Sequence, residues 1–228
     1  MHDGPLTCGD ALLATLASLP SDAAAVALMR HSVRGPVTDL RTSPDVRLTP
    51  EGEAAARRLG HALPRVAGLR FGHSPIERCA QTARGVAGGF DQAGGRTEAL
   101  GAFETLGAPY VLDFERLVEA AGAYDPRTFV RAWFDGGLAP GILLPAPQAA
   151  EGQLQVARRE LDRTPPGHLT LLVSHDWNVM LVREHYLGVR HEQAGWLDFL
   201  DGVVLVAAAD GPELRWGAHA CRLNGAHP

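Results

Sequence analysis

The chain has 228 residues, a formal net charge of −5, and ordinary shares of hydrophobic (46%) and charged (21%) residues. A chain of this size buries ~70% of its unfolded surface and needs no disulfide or metal staple. The absence of a basic excess argues against a general nucleic-acid or membrane-surface binder. Every one of the 21 basic residues is arginine, which excludes a P-loop, Schiff-base or kinase-type lysine.

Cys8, Cys79 and Cys221 are odd in number and lack Cys-x-x-Cys spacing, so they read as free thiols in a reducing compartment. Met1-His2-Asp3-Gly4 carries no basic n-region, and no apolar stretch approaches a membrane span. The expected location is cytoplasmic.

In chain order, the leucines at 12, 13, 16 and 19 predict a short amphipathic helix over residues 8–20. Residues 23–28 form an unbroken apolar run, as in a strand buried on both faces. The run ends in Met29-Arg30-His31-Ser32-Val33-Arg34, at the carboxyl end of a strand, where open α/β sheets place their ligand crevice. Thr49 and Pro50 cap and open a helix running to about residue 63. Residues 69–74 read as a second strand. Pro75 then opens a helix carrying Glu77-Arg78-Cys79-Ala80-Gln81-Thr82-Ala83, which the glycines between 85 and 95 should end.

Periodicity is weak over 100–150, with helical patches at 114–121 and 128–134 and a Pro/Gly stretch at 136–147. This segment is expected to be an insertion over the sheet edge, where substrate selection often resides. A helix over 148–161 leads to the strongest strand, 168–173, which ends in Ser174-His175-Asp176. A helix over 178–187 follows, then a β-hairpin of residues 200–206 and 213–219 around Asp210-Gly211. Alternating strands and helices predict an α/β fold: one domain over 1–228, a three-layer α/β/α sandwich with a mostly parallel sheet and an antiparallel edge.

Two strong strands each end in a histidine, His31 and His175. If the strands are neighbours, both imidazoles face one crevice with Arg30, Arg34 and Arg78. Bidentate guanidinium contacts suit the oxygens of a phosphate. Four blocks then match in order: Arg30-His31-Ser32-Val33-Arg34-Gly35-Pro36, Leu48-Thr49-Pro50-Glu51-Gly52, Ser74-Pro75-Ile76-Glu77-Arg78-Cys79-Ala80-Gln81-Thr82-Ala83, and Ser174-His175-Asp176. Together they resemble the histidine phosphatase superfamily, which contains phosphoglycerate mutases and histidine acid phosphatases.

The resemblance implies a phosphoglycerate mutase-like fold and a phosphomonoesterase that needs no metal or other cofactor and acts on a small phosphorylated substrate. His31 would attack phosphorus as a neutral imidazole, its other nitrogen held by a backbone carbonyl. Arg30, Arg34, Arg78 and His175 would bind the phosphoryl oxygens. Asp176, matching the acid-phosphatase pattern, is favoured as general acid/base, and Glu104 stands roughly where the mutase branch carries a glutamate. Other readings are a phosphotransferase or mutase, a phospho-ligand-binding protein that has lost turnover, and a metal-binding protein using some of the ten histidines.

Two departures stand out. Ser32 replaces the usual glycine after the nucleophile, and its side chain would crowd the phosphate or donate a hydrogen bond to it. The mutase-like Glu-Ser-x-Trp-Asn is absent, with Val33-Arg34-Gly35-Pro36 in its place.

Ser74 and Thr82 read as local hydrogen-bonding residues and Cys79 as a packed thiol. His61, His73, His185, His191, His219 and His227 read as structural or solvated. Trp133, Trp177, Trp196 and Trp216 belong to the core or its rim, with Trp177 a candidate pocket wall. Arg127 and Arg131 either meet a second anionic group or lie on a solvated face.

Overall fold

Strand β1 (Ala25–Arg30) is buried along its whole length because helices cover both of its faces. In the computed structural model, which describes residues 9–64 and 66–223, alternate β1 side chains enter two separate cores. Ala25, Ala27 and Met29 face the helices α1 (Asp10–Ala17), α2 (Pro50–Ala62) and α3 (Glu77–Gln92). Val26 and Leu28 face α4 (Phe114–Gly122), α5 (Pro126–Phe134), α6 (Ala146–Leu161) and α7 (Asp176–Leu187). The period-two pleat of an apolar strand thus generates the three layers.

The remaining strands are β2 (Gly68–His73), β3 (Thr97–Ala102), β4 (His168–Ser174), β5 (Gly202–Val206), β6 (Glu213–Trp216) and β7 (His219–Arg222). Their order is β3-β2-β4-β1-β5-β6-β7. The first four are mutually parallel, and β5, β6 and β7 form an antiparallel edge. No helix among the described residues is long and apolar enough to cross a membrane.

Several expectations are corrected. The leading helix starts at Asp10 and ends at Ala17; Cys8, the Met1–Gly4 segment and His227 lie outside the described residues. The last helix of the α/β core begins at Asp176, not at 178. Strand β3 was not expected, because its Thr-Glu-Ala-Leu-Gly-Ala sequence has no apolar alternation and its side chains are largely exposed at the sheet edge. Strand β7 extends the expected hairpin to a three-stranded meander, again with a mostly exposed sequence.

Of the glycines expected to end α3, Gly85, Gly88 and Gly89 instead lie inside it, whereas Gly94, at φ 84°, and Gly95 follow its end at Gln92. Those inside the helix permit close packing of α2 on α3. A Cβ on Gly89 would meet the Arg57 carbonyl oxygen at 2.0 Å, and one on Gly60 would meet the Val86 carbonyl oxygen at 1.9 Å. Helix propensity is overridden by backbone-to-backbone contact.

The middle segment lies over the interior of the sheet, not its edge. The Leu106 carbonyl accepts hydrogen bonds from Ser174 Oγ (2.8 Å) and Asn178 Nδ2 (3.0 Å), at the end of β4 and in the first turns of α7. The Tyr110 hydroxyl donates to Asn178 Oδ1 (2.7 Å), and Phe129 stacks on Trp177 at 5.5 Å.

Two substitutions in one helix separate these effects. Gly89→Ala is expected to destabilise the fold by about 1–3 kcal/mol through overpacking. Gly88→Ala, whose Cβ enters open space, is expected to stabilise it by about 1 kcal/mol from helix propensity. Denaturant unfolding of the two variants measures both signs.

Candidate active site

Strands β1 and β4 are adjacent and parallel, with Arg30 opposite Ser174. Their carboxyl ends therefore open into the same space. The His31 backbone N–H donates to the Ser174 carbonyl (2.9 Å), and His175 immediately follows as the N-cap residue of α7. The two imidazoles lie with centroids 5.6 Å apart and planes at 71°.

The His31 ring is held in one tautomer. Nδ1 donates to the adjacent Ser32 carbonyl at 2.7 Å, which leaves the lone pair on Nε2, and there it accepts from Arg78 Nε at 3.1 Å. Burial, with His175, Arg78 and Arg30 close by, holds this imidazole neutral well below its usual range despite the opposing Ser32 carbonyl. His175 is likewise pushed down to about 3 by burial and Arg78. Arg78 places NH2 at 3.3 Å from His175 Nδ1, and Ser74 Oγ lies 3.0 Å from Nε2.

Three guanidiniums surround the pair. Arg78, in the first turn of α3, is anchored through NH1 to the Ser43 carbonyl (2.6 Å), not by Glu77 or Glu53. Arg30 donates to the Leu197 carbonyl, and its guanidinium carbon sits 3.9 Å from the centroid of the Phe199 ring. Arg34 NH1 donates to the Gly35 carbonyl (2.8 Å). The Nε atoms of Arg30 and Arg34 are buried without a partner among the described residues. Buried donors of this kind are rare and retain capacity for an acceptor.

The counter-charge is Asp176, the first residue of α7. Its Oδ2 meets Arg30 NH2 at 3.1 Å and accepts from the Trp196 indole N–H at 2.9 Å, while Oδ1 accepts from the Trp177 backbone N–H at 3.0 Å. Burial works to raise this carboxyl, but Arg30, the indole and the two histidines outweigh it and hold it at about 2. Three guanidiniums thus face one carboxylate, a net positive cluster whose chemistry suits an oxyanion.

The descriptor of the histidine phosphatase superfamily (branch 1) matches residues 26–215. The chain belongs to this superfamily. No curated protein matches it by sequence. Among solved structures it is similar to a mycobacterial glucosyl-3-phosphoglycerate phosphatase, at 16% identity and a TM-score of 0.57, over 90% of this chain and 100% of that one. It is also similar to phosphoglycerate mutase from Bacillus anthracis, at 13% identity and a TM-score of 0.55, over 86% and 94%. YhfR of Bacillus stearothermophilus shares 17% identity and a TM-score of 0.55, over 86% and 94%. At these identities the likeness establishes a phosphoglycerate mutase-like fold.

Within this histidine phosphatase site, the expected crowding by Ser32 does not occur. Its hydroxyl donates to the Gly52 carbonyl (2.7 Å), so the side chain points toward α2, and its backbone N–H donates to Thr82 Oγ1 (3.0 Å) on α3. Glu104 is exposed on a 3₁₀ turn (Glu104–Leu106), and no hydrogen bond or ion pair joins it to the other site residues among those described.

Cys79 is a packed thiol, fully buried, donating to the Ser174 carbonyl (3.4 Å) and pushed up to about 12 by burial. Trp177 packs on Phe129 in the middle segment, whereas Trp196 makes the direct contact with Asp176. Trp196, Leu197 and Phe199 lie outside every motif, and an aromatic-rich turn between two elements was their only trace in the sequence.

Among the described residues, Glu184, His191 and Glu192 bring metal-ligand atoms within 4.8 Å of one another. Arg131 already occupies that position, with NH2 at 2.8 Å from both Glu184 Oε2 and Glu192 Oε2. It is therefore neither a free anion-binding residue nor part of a purely solvated face, while Arg127 is exposed on α5.

Because both site histidines stay neutral in the fold below their unfolded value of ~6.5, the unfolded chain binds more protons on acidification. The stability these two imidazoles contribute is therefore complete above about 6.5 and falls as pH drops below it, by up to about 1.4 kcal/mol per pH unit for each, for His175 as far as about 3. Urea unfolding at pH 7 and pH 5 measures the slope, which flattens in the His31→Asn/His175→Asn double variant.

Proposed function

We propose that this protein is a phosphomonoester hydrolase that works through a covalent phosphohistidine on His31. The observation that carries the reading is the Nε2 lone pair of His31, exposed by the Nδ1 bond to Ser32 and set beside His175, Arg30, Arg34 and Arg78. A neutral nitrogen nucleophile inside a cationic ring suits a phosphoryl centre, whose spreading charge the guanidiniums stabilise.

In the proposed reaction a monoester monoanion displaces Arg78 from His31 Nε2 and takes the unpartnered arginine donors. Its proton passes to Asp176, whose hold by Arg30 weakens as the phosphate shares the Arg30 charge. His31 Nε2 forms a bond to phosphorus as the ester P–O bond breaks, and Asp176 returns the proton to the leaving oxygen. Asp176 then takes a proton from water, whose oxygen attacks phosphorus while the N–P bond breaks. Asp176 passes that proton to the phosphate, which leaves as the monoanion, so that Asp176 is ionised and His31 neutral again. Arginine supplies the charge stabilisation throughout, so the chemistry asks for no metal.

Asp176 is preferred to Glu104 because its carboxylate touches Arg30 inside the ring, whereas Glu104 is exposed. The segment between β3 and α6 lies over the end of β4 and is proposed to select the leaving group. The location we propose remains cytoplasmic, with no nucleic-acid or membrane partner, in keeping with the acidic balance of the chain.

Hydrolysis of an aryl phosphate in excess chelator tests the reading. His31→Ala is expected to lower kcat by about 10³-fold or more, and brief exposure to radiolabelled substrate should leave acid-labile label on the wild-type chain only. Persistence of turnover in His31→Ala refutes the nucleophile.

The acid is tested separately. Asp176→Asn should slow alkyl phosphates, which have poor leaving groups, by about 10²–10⁴-fold and aryl phosphates far less. A larger effect from Glu104→Gln would transfer the role to Glu104.

A further inference from the structure

Asp176 Oδ2 receives two donors of different kinds, the Arg30 guanidinium at 3.1 Å and the Trp196 indole at 2.9 Å. Arg30 is also a phosphate ligand in the proposed reaction, so its charge is shared with substrate. The indole is neutral and its single N–H is directed at Asp176. Once phosphate draws on Arg30, Trp196 is the donor that stays with Oδ2.

The segment carrying Trp196 is held from several sides. Arg183, 1% exposed, donates through NH2 to the Gly195 carbonyl at 3.0 Å. The His191 ring packs edge-on against the Trp196 indole at 5.7 Å, and the Leu197 carbonyl accepts from Arg30. At its far end Leu200, fully buried, adopts φ 62°, a left-handed conformation that side-chain-bearing residues rarely take. Such strain persists only where the surroundings over-determine it. The indole is therefore presented to Asp176 by a rigid turn.

We infer that Trp196 is the positioning residue of the acid/base: its N–H fixes the Asp176 carboxylate and sets the pH range over which the substrate-bound site retains its proton. The inference rests on Asp176 being the proton donor. The charged groups facing this carboxylate are Arg30 from β1, Arg34 from the loop after it, and Arg78 from α3. The other titratable groups around it are His31, His175, Cys79 and Tyr110. All of these are present in both the wild type and the variants below, so a difference between them reports the indole donor.

A hydrogen bond to a carboxylate favours its ionised form, so removing it makes the proton harder to lose. For an alkyl phosphate, kcat reports the substrate-bound site. In Trp196→Phe its alkaline limb is expected about one pH unit higher than in the wild type. Trp196→Gln keeps an N–H donor without adding a titratable group and should move the limb less; equal shifts in the two variants overturn the role of the indole N–H. In an Asp176→Asn background the Trp196→Phe substitution should produce no shift, since coupled residues do not act additively.

An unmoved limb in Trp196→Phe, with the leaving-group selectivity of Asp176→Asn intact, sinks the inference and leaves the hydrolase reading standing. If Asp176→Asn treats alkyl and aryl phosphates alike, the assignment of Asp176 itself falls. Thermal melting of each variant checks that all are compared as folded proteins.

Discussion

The whole site depends on one backbone fact, the parallel pairing of β1 with β4 in the register that sets Arg30 opposite Ser174. Parallel strands end on the same side, so two segments separated by more than half the chain deliver their terminal side chains together. A one-residue slip would turn Arg30 and His31 to opposite faces of the sheet. The register is guarded by the two apolar cores, because Val26 and Leu28 cannot exchange places with Ala27 and Met29 without exposing or overpacking one layer.

That pairing gathers groups that repel one another. Arg30, Arg34 and Arg78 converge on the buried His31 and half-buried His175 imidazoles with Asp176 as their carboxylate partner. The fold tolerates this in two ways. The guanidiniums donate to main-chain carbonyls of Leu197, Gly35 and Ser43, which anchors them without cancelling their charge. The imidazoles remain uncharged, so no further cation enters the cluster. The residual positive field is then available to a bound anion, which relieves the repulsion on arrival.

Much of this was legible because the informative residues follow strong local patterns. The apolar runs before Arg30 and before Ser174 have the length and composition of buried parallel strands, and Thr49 caps α2 through its side chain as a threonine before proline suggests. What escaped was set by tertiary contact. Gly85 and Gly89 read as helix breakers in isolation, yet they continue α3 because α2 lies against them. Ser32 looked like an intrusion into the anion pocket, since nothing local shows that the Gly52 carbonyl is within reach of its hydroxyl. Strands β3 and β7 carry no apolar alternation because they stand at the two edges of the sheet.

The turn from Gly195 to Asp201 illustrates the same limit at the site itself. Its residues belong to no motif, and their roles come from what they meet. Phe199 covers the Arg30 guanidinium, excluding water from one face of it and so strengthening its interactions on the other. Trp196 and Arg30 converge on one oxygen of Asp176, and the Asp201 carbonyl accepts the Arg30 backbone N–H at 2.9 Å. Arg30 is thus fixed by this turn through its backbone, its guanidinium and its stacked face. The strand end supplies the charge, and the distant turn determines where that charge points. A site assembled this way retains its geometry only while the antiparallel edge, which follows the turn through β5, stays docked on β1.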